Sequence, residues 1–235
     1  MLNFFVNIDY LNYIPEKGRT SDLYLEAHKK ALKDRREVYG QQNPILDVKI
    51  MIAALPKRAN FHSVLADELT RQGFQFEFDY TEGISIGEKR ERMYKNCSAG
   101  YCIELDDDDF IAHDFSLKLE RALASHNGVD VVVYNELVLI EDNPPTFTLW
   151  GLEFDIGKTA DNMFIFSPGP KMCIKTKLAR TISIPHINTG EDMAFREKIK
   201  PLLKTQTRLE GWCITYEWTS NGTATGSQAH QIGKW

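Results

Sequence analysis

The stretch that decides the fold is residues 101–110, which read Tyr-Cys-Ile-Glu-Leu-Asp-Asp-Asp-Asp-Phe. Its first half is short and mostly apolar, as in a buried strand, and it runs directly into four adjacent aspartates. Crowding these carboxylates is costly, because two unit charges about 4 Å apart repel by about 4 kcal/mol at an effective dielectric of 20. A solvated acidic loop is the simpler interpretation. However, ligands of open α/β sheets bind at the carboxyl ends of the strands, which favours a functional site here.

Strand and helix patterns alternate on both sides of this stretch. Apolar or alternating segments predict strands at residues 48–55, 74–80, 101–105 and 130–134. Helical patterns lie between them and begin near Asn60, Ser85 and Asp114, which are residues that cap helices well. This order predicts an α/β fold with a mostly parallel sheet and flanking helices. Shorter strand patterns follow and suggest a small antiparallel portion, at residues 137–140, 146–150, 163–166, 172–175 and 214–218.

The chain divides into three parts by its sequence pattern. Residues 1–47 form an N-terminal extension with a predicted helix over 21–39, whose apolar stripe is Leu23, Ala27, Ala31 and Val38. Residues 48–218 form the main domain, and the Gly-, Ser- and Thr-rich residues 219–235 predict a flexible tail. The helix also carries five basic residues, Lys29, Lys30, Lys33, Arg35 and Arg36. It is interpreted as a helix packed on the main domain, or alternatively as a face that binds phosphate or a partner.

Composition excludes several classes of protein. The 235 residues include 43% hydrophobic and 26% charged residues, which is ordinary for a globular chain and excludes a wholly disordered or fibrous one. A formal charge of −5 gives no overall attraction to nucleic acid. No apolar run is long enough to span a bilayer and the first residues do not resemble a signal peptide, so we expect no integral membrane contact. The four cysteines show no zinc or disulfide spacing, which favours a cytoplasmic location.

Two neighbouring loops predict a cation site and an anion site. Residues two apart at a strand end point the same way, so Asp106 and Asp108 can share one hard cation, Mn²⁺ or Mg²⁺. Gly87 opens the helix after the second strand and is followed by Lys89 and Arg90, and a helix N-terminus favours anions. Together these sites match a nucleotide diphosphate with its cation. The simpler alternative for Lys89 and Arg90 is a solvated helix face.

Four motifs in order resemble the GT-A-fold glycosyltransferases, specifically the inverting family two. They are Leu-Pro-Lys-Arg at 55–58, the helix start Ile-Gly-Glu-Lys-Arg at 86–90, Ala-Gly-Tyr with the aspartates at 99–109, and Gly-Glu-Asp-Met-Ala-Phe at 190–195. The resemblance covers residues 48–200, about two thirds of the chain. It departs from the family where Glu91 replaces the usual Asn and in residues 1–47. It implies a GT-A-type (Rossmann-like) sheet and a nucleotide-sugar donor.

The resemblance also implies a role for each site residue. Asp106 and Asp108 would hold the cation, and His230 in the tail would complete its ligands. Asp192 would be the general base that deprotonates the acceptor hydroxyl, with Glu191 as its rival. The remaining positions would bind the donor, namely Pro56, Arg58, Asp79, Gly87, Lys89, Arg90 and Asp107. Simple complementarity to the helix dipole is the alternative for Glu191 and Asp192.

The resulting hypothesis is a metal-dependent inverting glycosyltransferase that uses an Asp base and an acceptor hydroxyl. The acceptor is open: it is a saccharide or a modified DNA base, the latter suggested by the basic helix. A non-catalytic nucleotide-sugar or carbohydrate-binding module is the alternative outside enzymes. Two other enzyme classes fit less well. A nucleotidyltransferase needs a glycine-rich first loop, and a phosphatase places its aspartates after the first strand.

Overall fold

The computed structural model describes residues 10–14, 16–159 and 163–219. The helices are α1 (Ser21–Tyr39), α2 (Ala59–Arg71), α3 (Ile86–Asn96), α4 (Phe115–Ser125), α5 (Thr176–Ala179) and α6 (Glu191–Ile199). The strands are β1 (Val48–Ala53), β2 (Gln75–Asp79), β3 (Tyr101–Leu105), β4 (Phe110–Ile111), β5 (Val131–Ile140), β6 (Thr146–Trp150), β7 (Gly157–Lys158), β8 (Phe164–Phe166), β9 (Cys173–Lys175) and β10 (Gln206–Trp218). Of the helices described, none combines the length and apolar character that a bilayer span needs.

The strands join in one sheet of order β2-β1-β3-β9-β5-β6-β8-β7, with β10 beside β5 and β4 paired to β10. β2, β1 and β3 are parallel neighbours, and β10 is parallel to β5. β9 is antiparallel to both β3 and β5, so β3 and β5 run the same way. The predicted α/β fold, with a mostly parallel central sheet, flanking helices and an antiparallel portion, is confirmed.

Two strands are longer than the sequence pattern predicts. The segments 130–134 and 137–140 belong to one strand, β5, whose second half pairs antiparallel with β6 through Glu136 and Thr148. The polar pair Asn135 and Glu136 interrupts the apolar pattern and hides this continuity. β10 begins at Gln206 and not at residue 214 as predicted. A bulge, where Gly211 takes a φ of 75°, shifts its register against β5 and interrupts the strand pattern.

Helix α1 turns only part of the predicted stripe inward, since Ala27 and Ala31 are buried as predicted. In the predicted stripe, Leu23 and Val38 are 39% and 60% exposed. His28 and Arg35 are instead buried with the apolar side chains of the helix. A hydrophobicity pattern scores both residues as polar, yet each has partners inside the protein. The His28 ring stacks on Phe110 with centroids 4.4 Å apart, and Arg35 pairs with an acid on α2.

That acid is Glu68, the centre of a fully buried polar network between α1 and α2. Its carboxylate accepts hydrogen bonds from Arg35 Nη1 at 2.9 Å, from Arg71 Nε and Nη2 at 2.8 Å, and from Gln72 Nε2 at 2.8 Å. Arg35 and Glu68 are both 0% exposed. Buried charges are tolerated only when they are paired and hydrogen-bonded, so the network specifies how α1 docks.

We expect Glu68→Gln to lower the free energy of unfolding by about 3–5 kcal/mol, because two buried guanidinium groups lose their counter-charge. The neighbouring Asp67 is a matched control, since its pair with Arg36 is exposed. Asp67→Asn should cost less than about 1 kcal/mol. Urea unfolding of both variants measures the difference, and equal losses would show that the Glu68 network does not stabilise the docking of α1.

Candidate functional site

The aspartates form a tight turn at the carboxyl end of β3. The N–H of Asp109 donates to the carbonyl of Asp106 at 3.1 Å, and the N–H of Asp106 donates to Asp109 Oδ2 at 2.9 Å. The turn lies next to the end of β1, the parallel neighbour of β3, and β2 lies parallel to β1 on its far side. The four carboxylates are therefore at the edge of the sheet where α/β proteins bind ligands.

Exposure alternates along this turn. The side chains of Asp106 and Asp108 are 31% and 18% exposed, whereas those of Asp107 and Asp109 are each 1% exposed. The geometry thus separates one outward pair from one inward pair, as expected for residues two apart. Within the described ranges, no group of three or more His, Cys, Asp or Glu side chains could hold a metal ion. His230, the predicted third ligand, lies outside the described residues.

Asp107, which the sequence predicts to bind the donor, contacts three other residues of the protein. It accepts hydrogen bonds from the N–H of Leu55 at 2.6 Å and from Arg58 Nη1 at 3.0 Å, and lies 2.9 Å from His62 Nε2. These contacts fasten the loop after β1 and helix α2 to the aspartate turn. The Asp107 side chain is 1% exposed, and its binding of the donor stays a prediction.

The loop at residues 55–58 reaches the outward pair through Arg58. Besides its contact with Asp107, Arg58 Nη1 lies 2.6 Å from Asp108 Oδ1. Burial raises the pKa of Asp108 to about 7 despite Arg58, and the charges of Asp106 and Asp107 add to this rise. Burial is therefore the main obstacle to ionisation of Asp108. Pro56 begins the short turn that presents Arg58.

The other outward aspartate, Asp106, is held by two cations. Arg90 Nη2 lies 3.3 Å from its Oδ1, and Lys171 Nζ lies 3.0 Å from its Oδ2. Burial opposes ionisation, but the charges of Lys171 and Arg90 bring the pKa of Asp106 well below its usual range.

The sequence did not point to Lys171, Glu104 or Glu136. Lys171 follows a Pro-Gly-Pro turn and precedes β9, a pattern that carries no chemistry of its own. Glu104 and Glu136 were hidden within strands, although a buried acid in an apolar strand is a signal that a partner is near. Glu104 pairs with Arg90, and Glu136 lies 3.3 Å from Lys171 Nζ.

The anion site predicted at the start of α3 is not available as expected. The N–H groups of Ile86, Gly87 and Glu88 already donate to Asn188 Oδ1, to the carbonyl of Ile187 and to Ser85 Oγ, at 2.9, 3.0 and 3.1 Å. A Cβ on Gly87 would lie 2.0 Å from the carbonyl oxygen of Pro185, so this glycine serves a close backbone packing. The expectation of free N–H donors at this helix start is wrong.

Lys89 and Arg90 are also turned inward. Lys89 is 3% exposed and donates to the carbonyls of Ala54 and Asp79 at 2.8 and 3.3 Å, where β1 and β2 end. It joins two strand ends and does not form a solvated helix face. Arg90 bridges Glu104, Asp106 and Glu191, with 3.0 Å between Nη1 and Glu191 Oε1.

A cavity of about 480 Å³ opens beyond the end of β2, beside Asp79, Tyr80, Thr81 and Arg92. Asp79 accepts a hydrogen bond from the N–H of Thr81 at 2.9 Å and pairs with Arg92 at 2.6 Å. Burial opposes ionisation, yet these hydrogen bonds lower the pKa of Asp79. Tyr80 is 56% exposed and stacks on Phe78, which leaves an aromatic surface at the cavity.

The two candidate bases at the start of α6 differ in environment. Glu191 is buried and bound to Arg90, and burial raises its pKa. Asp192 is half-buried, and its carboxylate has no hydrogen-bond or ion-pair partner among the residues that the structure describes. Burial alone would lower the pKa of Arg90, but the charges of Glu104, Asp106 and Glu191 raise it, and the charge of Asp192 adds to this rise. Asp192 therefore lies near the aspartate turn with its oxygens available.

Comparison with known proteins identifies the architecture through structure alone. No family model and no curated protein sequence matches the chain. The structure of S. aureus TarS 1-349 in complex with UDP-GlcNAc is similar, with a TM-score of 0.55 and 12% identity over 73% of this chain and 58% of that one. TarS 1-349 in complex with UDP gives the same TM-score and identity, over 73% and 60%.

The chain thus spans about three fifths of the length of the TarS structures it matches. A likeness at 12% identity establishes the fold and not the activity. TarS is a glycosyltransferase of the GT-A type. The chain has the fold of the GT-A-type glycosyltransferases.

Proposed function

We propose that this protein transfers a sugar from a nucleotide-sugar donor to an acceptor hydroxyl, with a divalent cation at the donor diphosphate. One observation carries the proposal: the outward pair Asp106 and Asp108 lies at the carboxyl end of β3, near Asp192, whose carboxylate has no partner among the described residues. The similar TarS structures contain UDP-GlcNAc or UDP, which favours a uridine diphosphate sugar as the donor.

The cavity beyond β2 fits the nucleoside end of such a donor. Tyr80 offers an exposed ring on which a base can stack, and Asp79 offers carboxylate oxygens to its polar edge. The Pro56–Arg58 turn contacts Asp108 through Arg58, which supports a role for Arg58 at the phosphates. Pro56, Arg58 and Asp79 are among the residues that the sequence predicts to bind the donor. The other predicted positions are turned inward, namely Gly87, Lys89, Arg90 and Asp107.

The carboxylates present fit a hard cation. Mg²⁺ is commonly held by one or two carboxylates plus substrate phosphates and water, so the outward pair suffices without a third protein ligand. Burial raises the pKa of Asp108, because its ionised carboxylate is poorly solvated, and a bound cation would stabilise that ionised form. When bound, the cation would stabilise the negative charge that develops on the departing diphosphate.

Asp192 is the better placed base. The new bond forms between the acceptor oxygen and the anomeric carbon while the bond from that carbon to the diphosphate oxygen breaks, and the acceptor proton passes to the base. Asp192 can accept this proton without breaking an ion pair, whereas Glu191 would have to leave Arg90. A single displacement of this kind inverts the anomeric configuration and needs no covalent nucleophile.

Nothing in α1 favours the DNA acceptor. Lys29, Lys30, Lys33 and Arg36 are exposed, but Arg35 is buried against Glu68 and cannot contribute to a basic surface. Lys29 and Arg36 pair with Glu26 and Asp67. This mixed face lacks the single-signed charge that phosphate backbones attract. A non-catalytic binding module remains the alternative, and the next experiment separates it from an enzyme.

We expect Asp192→Asn to lower cation-dependent hydrolysis of UDP-GlcNAc by about 10²-fold or more, because a general base typically contributes 10²–10⁴-fold. UDP affinity, measured by isothermal titration calorimetry, should be unchanged because Asp192 is not at the donor diphosphate. Glu197 on the exposed side of α6 is the control, and Glu197→Gln should retain full activity. Equal turnover in Asp192→Asn would rule out this base, and absence of turnover in the wild type alongside UDP binding would favour a binding module.

We expect Asp108→Asn to weaken UDP binding roughly tenfold or more in Mn²⁺, since a ligand to the cation is lost. EDTA should have the same effect on the wild type. The melting temperature should not fall, because the raised pKa means that ionised Asp108 destabilises the fold as the pH rises toward 7. The exposed Asp155 provides the control variant Asp155→Asn. UDP binding that is insensitive to EDTA would contradict the cation site.

A further inference from the structure

Lys171 places a protein cation directly against the predicted metal ligand. We propose that Lys171 competes with the divalent cation for Asp106, so that the cation binds well only together with the donor diphosphate. This inference rests on the proposed function and adds a coupling between its two ligands.

The position of Lys171 is fixed by three acids from two parts of the chain. Its Nζ lies 3.0 Å from Asp106 Oδ2, 2.8 Å from Asp109 Oδ2 and 3.3 Å from Glu136 Oε1. It also lies 4.6 Å from the centroid of the Tyr216 ring, on β10. Lys171 is thus held between the aspartate turn, β5 and β10, and its side chain is still 16% exposed.

Both oxygens of Asp106 are already occupied by cations of the protein. Arg90 contacts Oδ1 and Lys171 contacts Oδ2, so a divalent ion that binds Asp106 meets a protein cation at either oxygen. Arg90 is the harder to move, because its planar head also pairs with Glu104 and Glu191 and is only 10% exposed. Lys171 has a flexible stem and a single ammonium, so it is the group that gives way.

A diphosphate changes this balance. Without one, the ammonium and a divalent ion would share the same carboxylate, and their mutual repulsion would weaken binding of the ion. When a diphosphate is bound, its phosphate oxygens offer the displaced Lys171 ammonium a new acceptor while the ion binds the outward aspartates. The ion and the diphosphate should therefore strengthen each other's binding, and this coupling is reciprocal by thermodynamic linkage.

The experiment is isothermal titration calorimetry with Mn²⁺ and with UDP, separately and together, on the wild type, Lys171→Met and Lys175→Met. Lys175 is a matched control, because it lies four residues further on and pairs with Asp130 and the carbonyl of Gly128, away from the aspartate turn. In the wild type and in Lys175→Met, UDP should tighten Mn²⁺ binding roughly tenfold or more. Lys171→Met should bind Mn²⁺ alone roughly tenfold more tightly than the wild type, and UDP should tighten Mn²⁺ binding less than it does in the wild type.

Several results would overturn the inference. Mn²⁺ binding that is equally tight in the wild type and Lys171→Met, or weaker in Lys171→Met, would show that Lys171 does not compete with the ion. If Lys171→Met does not fold, the wild type decides: independent binding of Mn²⁺ and UDP overturns the coupling. UDP binding that requires Mn²⁺ but is unchanged by Lys171→Met refutes only the role of Lys171. Failure of the wild type to bind either ligand refutes the proposed function as well.

Discussion

The structure depends on the pairing of crowded carboxylates at the end of β3 with cations from distant parts of the chain. Arg58 comes from the loop after β1, Arg90 from α3 and Lys171 from the loop before β9. Each of these cations contacts at least two acids. Because buried charge is tolerated only when it is paired, the aspartate turn can form only when these segments have reached their final places. The same ion pairs therefore organise both the fold and the candidate site.

Local sequence patterns were enough to predict a mostly parallel sheet and which aspartates of the turn face the same way. The apolar segment 101–105 and its neighbours predicted a mostly parallel sheet, because strand burial and helix capping are encoded within short stretches. The order of the strands was not predicted. The alternation along a strand end also indicated that Asp106 and Asp108 face the same way, and their greater exposure agrees. The metal, the base and the donor contacts at this site stay predictions.

Long-range partners could not be predicted in the same way. Lys171 lies 62 residues after Asp109, and no local pattern indicates that the two side chains meet. Gly87 illustrates the opposite error: the helix start predicted free N–H donors, but the segment around Ile187 folds over them. Asp107 was assigned to the donor because it belongs to the motif, whereas only the packed structure shows His62 and the Leu55 N–H beside it. Whether a backbone N–H group or a carboxylate already has a partner is decided by tertiary packing.

The docking of α1 has a consequence for how the chain can be shortened. Arg35 Nη1 donates to the carbonyl of Ile111 at 2.8 Å, and its guanidinium lies 4.5 Å from the centroid of the Phe110 ring. These two residues form β4, which directly follows the aspartate turn. A protein trimmed to start at residue 48 would leave Glu68 without one of its two arginines and uncover the aromatic ring behind the acidic loop. Expression trials that remove the N-terminal helix therefore risk losing the geometry of the loop itself.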